Sequence, residues 1–262
     1  MTVRPATADD LDAIAALTAA HRRRLAAAAP RWWRPAAGAD EMHRLWLGHL
    51  VGADGPVVRV VEEGGEVVGC GIAVPQAAQW FLDDLAVRSD ADWAGPGAAL
   101  LAAVTERPVL TCTAVGDGAR EDALRGAGWA PASRCWVGEA AGDPPAAVAP
   151  LGPGAPLPAP PPHTFGPIDP TAGGFALGDD RGGAVVGSAP VTAPPVYDPG
   201  GTVCLVDRLA GPDPGLLVRA AAAAAAGRGA ARLAVVAGAA DHRLADALAA
   251  AGFAPTVEIY LR

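Results

Sequence analysis

Leu82-Asp-Asp-Leu-Ala-Val-Arg-Ser-Asp-Ala-Asp-Trp-Ala-Gly-Pro-Gly-Ala-Ala-Leu-Leu101 passes from an extended apolar segment, through a turn holding two glycines, into an alanine–leucine run. The first part reads as a strand over Trp80 to Val87, and the last as a helix from about Gly97 to Val104. This order has a chemical consequence. The first N–H groups of a helix lack acceptors and sit at the positive end of its dipole, and glycines let an anion approach the backbone closely. A phosphate-bearing ligand suits such a turn.

Upstream, Thr2 to Arg4 reads as a strand and Thr7-Ala-Asp-Asp10 as a helix start with acids in its first turn. Leu11, Ile14, Leu17 and Thr18 mark one face of that helix. Met42, Leu45, Trp46, His49 and Leu50 follow the spacing of a second apolar face. Val57 to Val61 and Val67 to Val74 flank Glu63-Gly64-Gly65 as a hairpin. Downstream come a strand at Val109 to Val115, a helix at Ala119 to Ala127 and a strand at Ala132 to Val137. The order β-α-α-β-β-β-α-β-α-β defines a mixed α/β class.

The later part of this pattern occurs twice. Glu66-Val-Val-Gly-Cys70 recurs as Ala184-Val-Val-Gly-Ser188, and Leu82-Asp-Asp-Leu-Ala86 recurs as Val206-Asp-Arg-Leu-Ala210. Asp122-Ala-Leu-Arg-Gly-Ala-Gly-Trp-Ala-Pro131 recurs as Asp246-Ala-Leu-Ala-Ala-Ala-Gly-Phe-Ala-Pro255. The offsets are 184 − 66 = 118, 207 − 83 = 124 and 252 − 128 = 124. An insertion in the second copy, placed at the proline-rich Ala193 to Gly201, reconciles them. We read a duplication. Between the copies, Gly142 to Pro162 is rich in proline without strand or helix period, which reads as a linker. The expected domains are 1–141, a linker over 142–163, and a truncated copy over 164–262.

Bulk properties narrow the function. A net charge of −8 argues against a nucleic-acid partner bound through a basic face. No apolar run reaches the roughly 18 residues of a membrane helix, and Met1 to Asp10 lacks a secretory pattern, so a cytoplasmic protein with no membrane partner is expected. The four cysteines, Cys70, Cys112, Cys135 and Cys204, are widely spaced among apolar residues, which suits reduced thiols, and no metal site is expected. Lysine and asparagine are absent from the chain while arginine, alanine, glycine and proline abound, so a missing Lys or Asn says little about function.

Leu85-Ala-Val87 followed by Asp92, Gly95 and Gly97 resembles the GNAT acetyltransferase superfamily, whose fourth strand reads L-A-V before an R/Q-x-x-G-x-G/A pyrophosphate loop. Gly128-Trp129 is similar to that family's closing G-F. The resemblance covers the first copy, with its later part repeated in the second. It implies a tandem GNAT-like acyl-CoA N-acyltransferase fold, with acetyl-CoA or another acyl-CoA as co-substrate. The strand residues Leu85, Ala86 and Val87 would hold the pantetheine and thioester through their backbone. Gly95, Gly97 and Ala98 would hold the pyrophosphate. Four departures stand out: Asp92 replaces the opening Arg or Gln and is expected to oppose phosphate, Pro96 lies between the glycines, Leu124 stands where the family has a tyrosine acid, and Asp117 stands where it often has asparagine. In the second copy Gly211-Pro-Asp-Pro-Gly215 replaces the loop and Leu248 the tyrosine, so that copy is read as degenerate.

Leu82-Asp-Asp-Leu-Ala-Val87 is also similar to the L-E-D-x-x-V of diamine and polyamine acetyltransferases, which implies a catalytic role for Asp83. An ammonium must lose a proton before it attacks a thioester, and a nearby carboxylate can take it. Strand alternation puts Asp83 on the face of Phe81, Leu85 and Val87, and turns Asp84 the other way. The stretch His21 to Arg34, with Arg22, Arg23, Arg24, Arg31, Trp32, Trp33 and Arg34, matches the region that walls the acceptor site in the family. Trp32, Trp33 and Asp84 are therefore candidate substrate residues, beside the plainer reading of a solvated helix face with the tryptophans packing beneath the loop. His43 is open to either a surface or an acceptor-contact reading, and Cys112 to a buried inert thiol. The functional expectation is acetyl transfer to a small-molecule amine by a monomer or homodimer. A non-catalytic acyl-CoA- or metabolite-binding pseudoenzyme is the alternative.

Overall fold

A computed structural model of the chain describes residues 1–76, 79–104, 109–159 and 168–262. By their contacts these residues form two units. Unit 1 comprises Met1–Pro131, Pro195–Tyr197 and Glu258–Arg262; unit 2 comprises Ala132–Pro194 and Asp198–Val257.

Unit 1 contains β1 (Thr2–Pro5), α1 (Leu11–Ala28), α2 (Pro30–Trp33), α3 (Ala39–Leu50), β2 (Val57–Glu63), β3 (Glu66–Gln76), β4 (Gln79–Val87), α4 (Pro96–Val104), β5 (Val109–Ala114) and α5 (Gly118–Gly126). The strands lie in the order β1-β2-β3-β4-β5. Past β5, the backbone of Val109 exchanges hydrogen bonds with that of Arg262. β2 and β3 form the expected hairpin, and both turn glycines, Gly64 (φ 60°) and Gly65 (φ 87°), take the left-handed conformation that a two-residue turn demands. Helices cover both faces. Leu100, Leu101 and Val104 of α4 and Leu124 of α5 pack with Leu82, Leu85 and Val87 of β4. Ile14 and Leu17 of α1 and Leu47 and Leu50 of α3 pack with Cys70, Ile72 and Ala86 on the other face.

Two expectations about the first helices are corrected. In α3 the buried residues are Ala39, His43, Leu47 and Leu50, whereas Met42, Leu45 and Trp46 are exposed, Leu45 by 66%. The helix offers two stripes at the same period, and the one carrying His43 turns inward because that imidazole finds buried partners. In α1 the buried stripe continues through Ile14, Leu17, Thr18, His21, Arg22 and Leu25. Arg22 is therefore not part of a solvated face, although Arg23 is exposed.

Unit 2 contains β7 (Val148–Pro150), β8 (Phe175–Asp179), β9 (Ala184–Gly187), β10 (Val203–Ala210), α6 (Pro214–Ala226), β11 (Arg232–Gly238) and α7 (His242–Ala250). It also holds most of β6 (Ala130–Glu139) and the first residues of β12 (Ala254–Leu261). The order is β12-β6-β11-β10-β9-β8-β7. α6 and α7 bury Leu217, Ala221, Leu244 and Leu248 against Cys204, Val206, Leu233 and Val235. β7 corrects the reading of 142–163 as irregular: Val148 pairs with Asp179, and Pro150 is tolerated because β7 is an edge strand. Residues 160–163 of the expected linker lie outside the described residues.

The repeat extends to the backbone. α5 and α7 start at 118 and 242 and end at 126 and 250, so both ends are offset by 124. Each is closed by a left-handed glycine, Gly128 (φ 84°) or Gly252 (φ 80°). The next residue, Trp129 or Phe253, returns its N–H to Leu124 or Leu248. The two units cut across this order, since Ala132–Glu139 belong to unit 2 and Glu258–Leu261 to unit 1. No described helix is long and apolar enough to cross a membrane.

Candidate active site

β4 parts from β5 beside the two aspartates. Their parallel register runs Trp80↔Val109, Phe81↔Leu110 and Leu82↔Thr111, and ends there. The Thr111 hydroxyl closes it by donating to the Leu82 carbonyl at 2.9 Å. On its other edge β4 stays paired with β3, but the register slips: Ala73 faces Leu82 while Ile72 faces Asp84. Asp83 is the extra residue of a bulge. The bulge corrects the simple alternation, because Leu82 now packs in the same cluster as Leu85 and Val87. Leu85, Ala86 and Val87 bury their side chains completely. On the side away from β3, the Val87 carbonyl accepts from Arg24 Nη2 at 2.9 Å.

Ser89 and Asp92 then form a capping box on the short 3-10 turn Asp90–Ala94. Asp92 Oδ2 accepts from Ser89 N and from Ser89 Oγ, both at 3.0 Å, and Arg88 lies 3.4 Å away. Hydrogen bonds from Ser89 and Arg88, with the charge of Arg88, outweigh desolvation and lower its pKa. The carboxylate expected to oppose phosphate is bonded within the turn, to Ser89 and Arg88. Trp93 is buried and covers Gly97, where an added Cβ would lie 2.6 Å from the ring. At Gly95 an added Cβ would meet open space. Pro96 opens α4, where its missing donor costs nothing, and Ala98 is exposed in the first turn. The second copy differs here. Asp213 caps α6 by accepting from Leu216 N at 2.9 Å, so a carboxylate of the chain already fills that anion position.

Asp83 is exposed to solvent, yet burial of its surroundings and then the charge of Asp84 push its carboxyl up to about 7, against opposing pulls from His43 and Arg120. Asp84 Oδ2 accepts from His43 Nε2 at 3.0 Å. His43 Nδ1 in turn accepts from Arg22 Nη1, which assigns the ring proton to Nε2. Arg22 Nη2 reaches Asp40 at 2.6 Å. Below them Arg120 is fully buried, donates to His21 Nε2, and lies 3.4 Å from Thr111 Oγ1. Burial and the neighbouring arginines hold the His21 pKa well below the usual histidine value. A cleft of about 520 Å³ opens beside Arg22, lined also by Ala19, Arg23, Pro35, Ala36 and Asp40.

Of the residues singled out in the sequence, Asp83, Asp84 and His43 are brought together. Trp33 is buried and meets Tyr197 edge to face at 5.0 Å, and Tyr197 feels the charges of Asp84 and Asp83. Trp32 is half-buried on the same short helix. Leu124 is fully buried core, so the position of the family tyrosine carries no hydroxyl. His21 and Arg22 were read only as part of the basic stretch and not as buried partners, and Arg120 and Tyr197 were not singled out. The first two lie on the stripe begun by Ile14 and Leu17, which is the signal that could have found them. Among the described residues no group of three or more His, Cys, Asp or Glu could hold a metal.

No protein-family model matches the chain, and no curated protein sequence matches it. Solved structures do. A GCN5-related N-acetyltransferase from Sphaerobacter thermophilus aligns over 100% of this chain and 95% of its own, with a TM-score of 0.54 and 16% identity. The chain therefore has the mixed α/β fold of GNAT acyl-CoA N-acyltransferases. Its form is the tandem one: a tandem GNAT protein from the clavulanic acid biosynthesis pathway aligns over 100% of this chain and 98% of its own, with a TM-score of 0.52 and 16% identity.

Proposed function

We propose that the protein is a cytoplasmic acyl-CoA-dependent N-acyltransferase that moves acetyl from acetyl-CoA to a small-molecule amine by direct attack, in unit 1. The observation that carries this reading is Asp83: an accessible carboxyl raised to about 7, on a bulge where β4 leaves β5. A base of that pKa is half ionised near neutrality and can draw a proton from an ammonium group. The amine nitrogen then forms its bond to the acyl carbon as the carbon–sulfur bond breaks. Asp83 releases that first proton to solvent and takes the second from the nitrogen as the amide forms, and the thiolate takes one from solvent.

Residues for the co-substrate fit this role. The backbone of Leu85, Ala86 and Val87 would hold pantetheine, and Gly95, Gly97 and Ala98 at the start of α4 would hold pyrophosphate. Trp33 and Asp84 would face the acceptor, and Trp32 would border it. The copy over 164–262 would bind no acyl-CoA, since Asp213 fills its helix terminus.

The test is direct. Purified protein is incubated with acetyl-CoA and a panel of amines, following free thiol and acetylated product together. Amine-dependent thiol release that Asp83→Asn abolishes supports the reading; thiol release that does not depend on any amine defeats it. One observation favours a second reading, a non-catalytic acyl-CoA-binding protein: Leu124 supplies no acid for the departing thiolate. Tight acetyl-CoA binding without turnover would select it.

A further inference from the structure

Asp83 and Asp84 adjoin on β4 but differ in what holds them. Asp83 is exposed on the bulge, and no described residue donates a hydrogen bond to its carboxyl. Asp84 is half-buried and accepts from His43 Nε2 at 3.0 Å. Behind it His43 is buried, and its Nδ1 accepts from Arg22, which is buried too. The other terminal nitrogen of Arg22 reaches Asp40 at 2.6 Å. The chain Asp40–Arg22–His43–Asp84 joins α3, α1 and β4 within unit 1, and it ends one residue from the candidate base. Both nitrogens of the His43 ring are engaged, so its one free task is to donate to Asp84. Two adjacent acids ordinarily share a proton, and neither is then a dedicated base. A donor fixed on one of them favours its charged form and sends the shared proton to the other.

We propose that His43 and Asp84 are positioning residues for Asp83: His43, anchored by Arg22, commits the Asp84 carboxylate to its donor and so leaves the proton of the acid pair, and the role of base, to Asp83. This rests on the acyl-transfer reading above. There Asp84 borders the acceptor; here it acts through its neighbour. The other groups that act on the two acids are Arg120 of α5, Cys70 of β3 and Tyr197. An arginine stays charged in a protein, and burial raises both the thiol and the phenol above their usual ranges. None of the three therefore changes charge between about pH 5 and about pH 9.

The experiment uses the full chain. Asp83 is titrated by NMR with isotope-labelled aspartate carboxyl carbons, its signal assigned by its loss in Asp83→Asn. Alongside it, kcat and the KM for an amine acceptor are followed against pH. Asp84→Asn keeps an oxygen for His43 and removes the charge. The Asp83 midpoint and the midpoint of kcat should then fall together, by about one unit or more, with the amine KM moved by less than about three-fold. His43→Gln, which keeps an N–H at that reach, should leave the Asp83 titration a single step. His43→Leu, which removes it, should spread that titration over two. An Asp83 midpoint unmoved in Asp84→Asn overturns the inference. So does an amine KM that rises while both midpoints stay, or a single step retained in His43→Leu. Absence of transfer by wild type to any of many amines defeats the acyl-transfer reading instead; the titration needs no substrate and still decides whether His43 and Asp84 direct the proton to Asp83.

Discussion

Asp83 and Asp207 occupy the same place in the repeat, each the extra residue of a bulge, but only Asp207 spends its carboxylate inside the protein. The register of β10 on β9 slips between Val206 and Arg208 as that of β4 on β3 slips at Asp83. Asp207 is buried, accepts from Ile168 N at 2.8 Å and lies 3.1 Å from Arg208 Nε. Asp83 is exposed instead. An inherited backbone feature holds a structural acid in one copy and an available one in the other.

The rate of acetyl transfer is expected to rise with pH through about 7, following ionisation of Asp83. Asp83→Asn should remove that rise and lower kcat by about a hundred- to ten-thousand-fold. A rise that survives in the variant would assign the base elsewhere.

Stability should respond to the same group with a definite sign. The folded pKa of Asp83 lies above its unfolded value of 3.8, so unfolding releases a proton between the two. Wild type should lose stability as pH climbs from about 4 to about 7, with the loss complete above that. Asp83→Asn, which cannot titrate, should therefore melt higher than wild type at about pH 8 and no higher at about pH 4.

Asp207→Ala should behave oppositely, as a pure stability variant. It strands the Ile168 N–H and the Arg208 guanidinium, and a loss of about 2–4 kcal/mol in denaturant unfolding is expected. Transfer per folded molecule should be unchanged.

Asp92→Ala should cost about 1 kcal/mol through loss of the capping box. Calorimetry should find no tighter binding of coenzyme A. A clear gain in affinity would mean that the carboxylate turns toward the phosphates when they arrive.

The two loop glycines should separate packing from binding. Gly97→Ala drives a Cβ into Trp93 and should destabilise by about 1–3 kcal/mol. Gly95→Ala meets open space, so its stability should stay within about 0.5 kcal/mol while coenzyme A affinity falls.

Local features of the fold could be read from the sequence because they rest on short-range chemistry. The hairpin glycines, the caps of α5 and α7 and the repeat itself are examples. The bulge at Asp83 was hidden, because Leu82, Leu85 and Val87 read as a plausible strand in either register. α3 was read by the wrong stripe, since Met42, Leu45 and Trp46 are as apolar as a core face. Asp84 and His43 are 41 residues apart and His21 and Arg120 are 99 apart, so nothing local announces either pairing.

The membership of β12 bears on how the protein is made. Glu258–Arg262 count with unit 1, and Arg262 bonds to Val109, yet these residues leave the ribosome after all of unit 2. Unit 1 therefore cannot finish its sheet while its own helices are emerging, and must wait for roughly another hundred and thirty residues. During synthesis the free edge of β5 is exposed to wrong partners. A nascent chain stalled before residue 258 should still be open to protease at β5, and release of the last strand should close it.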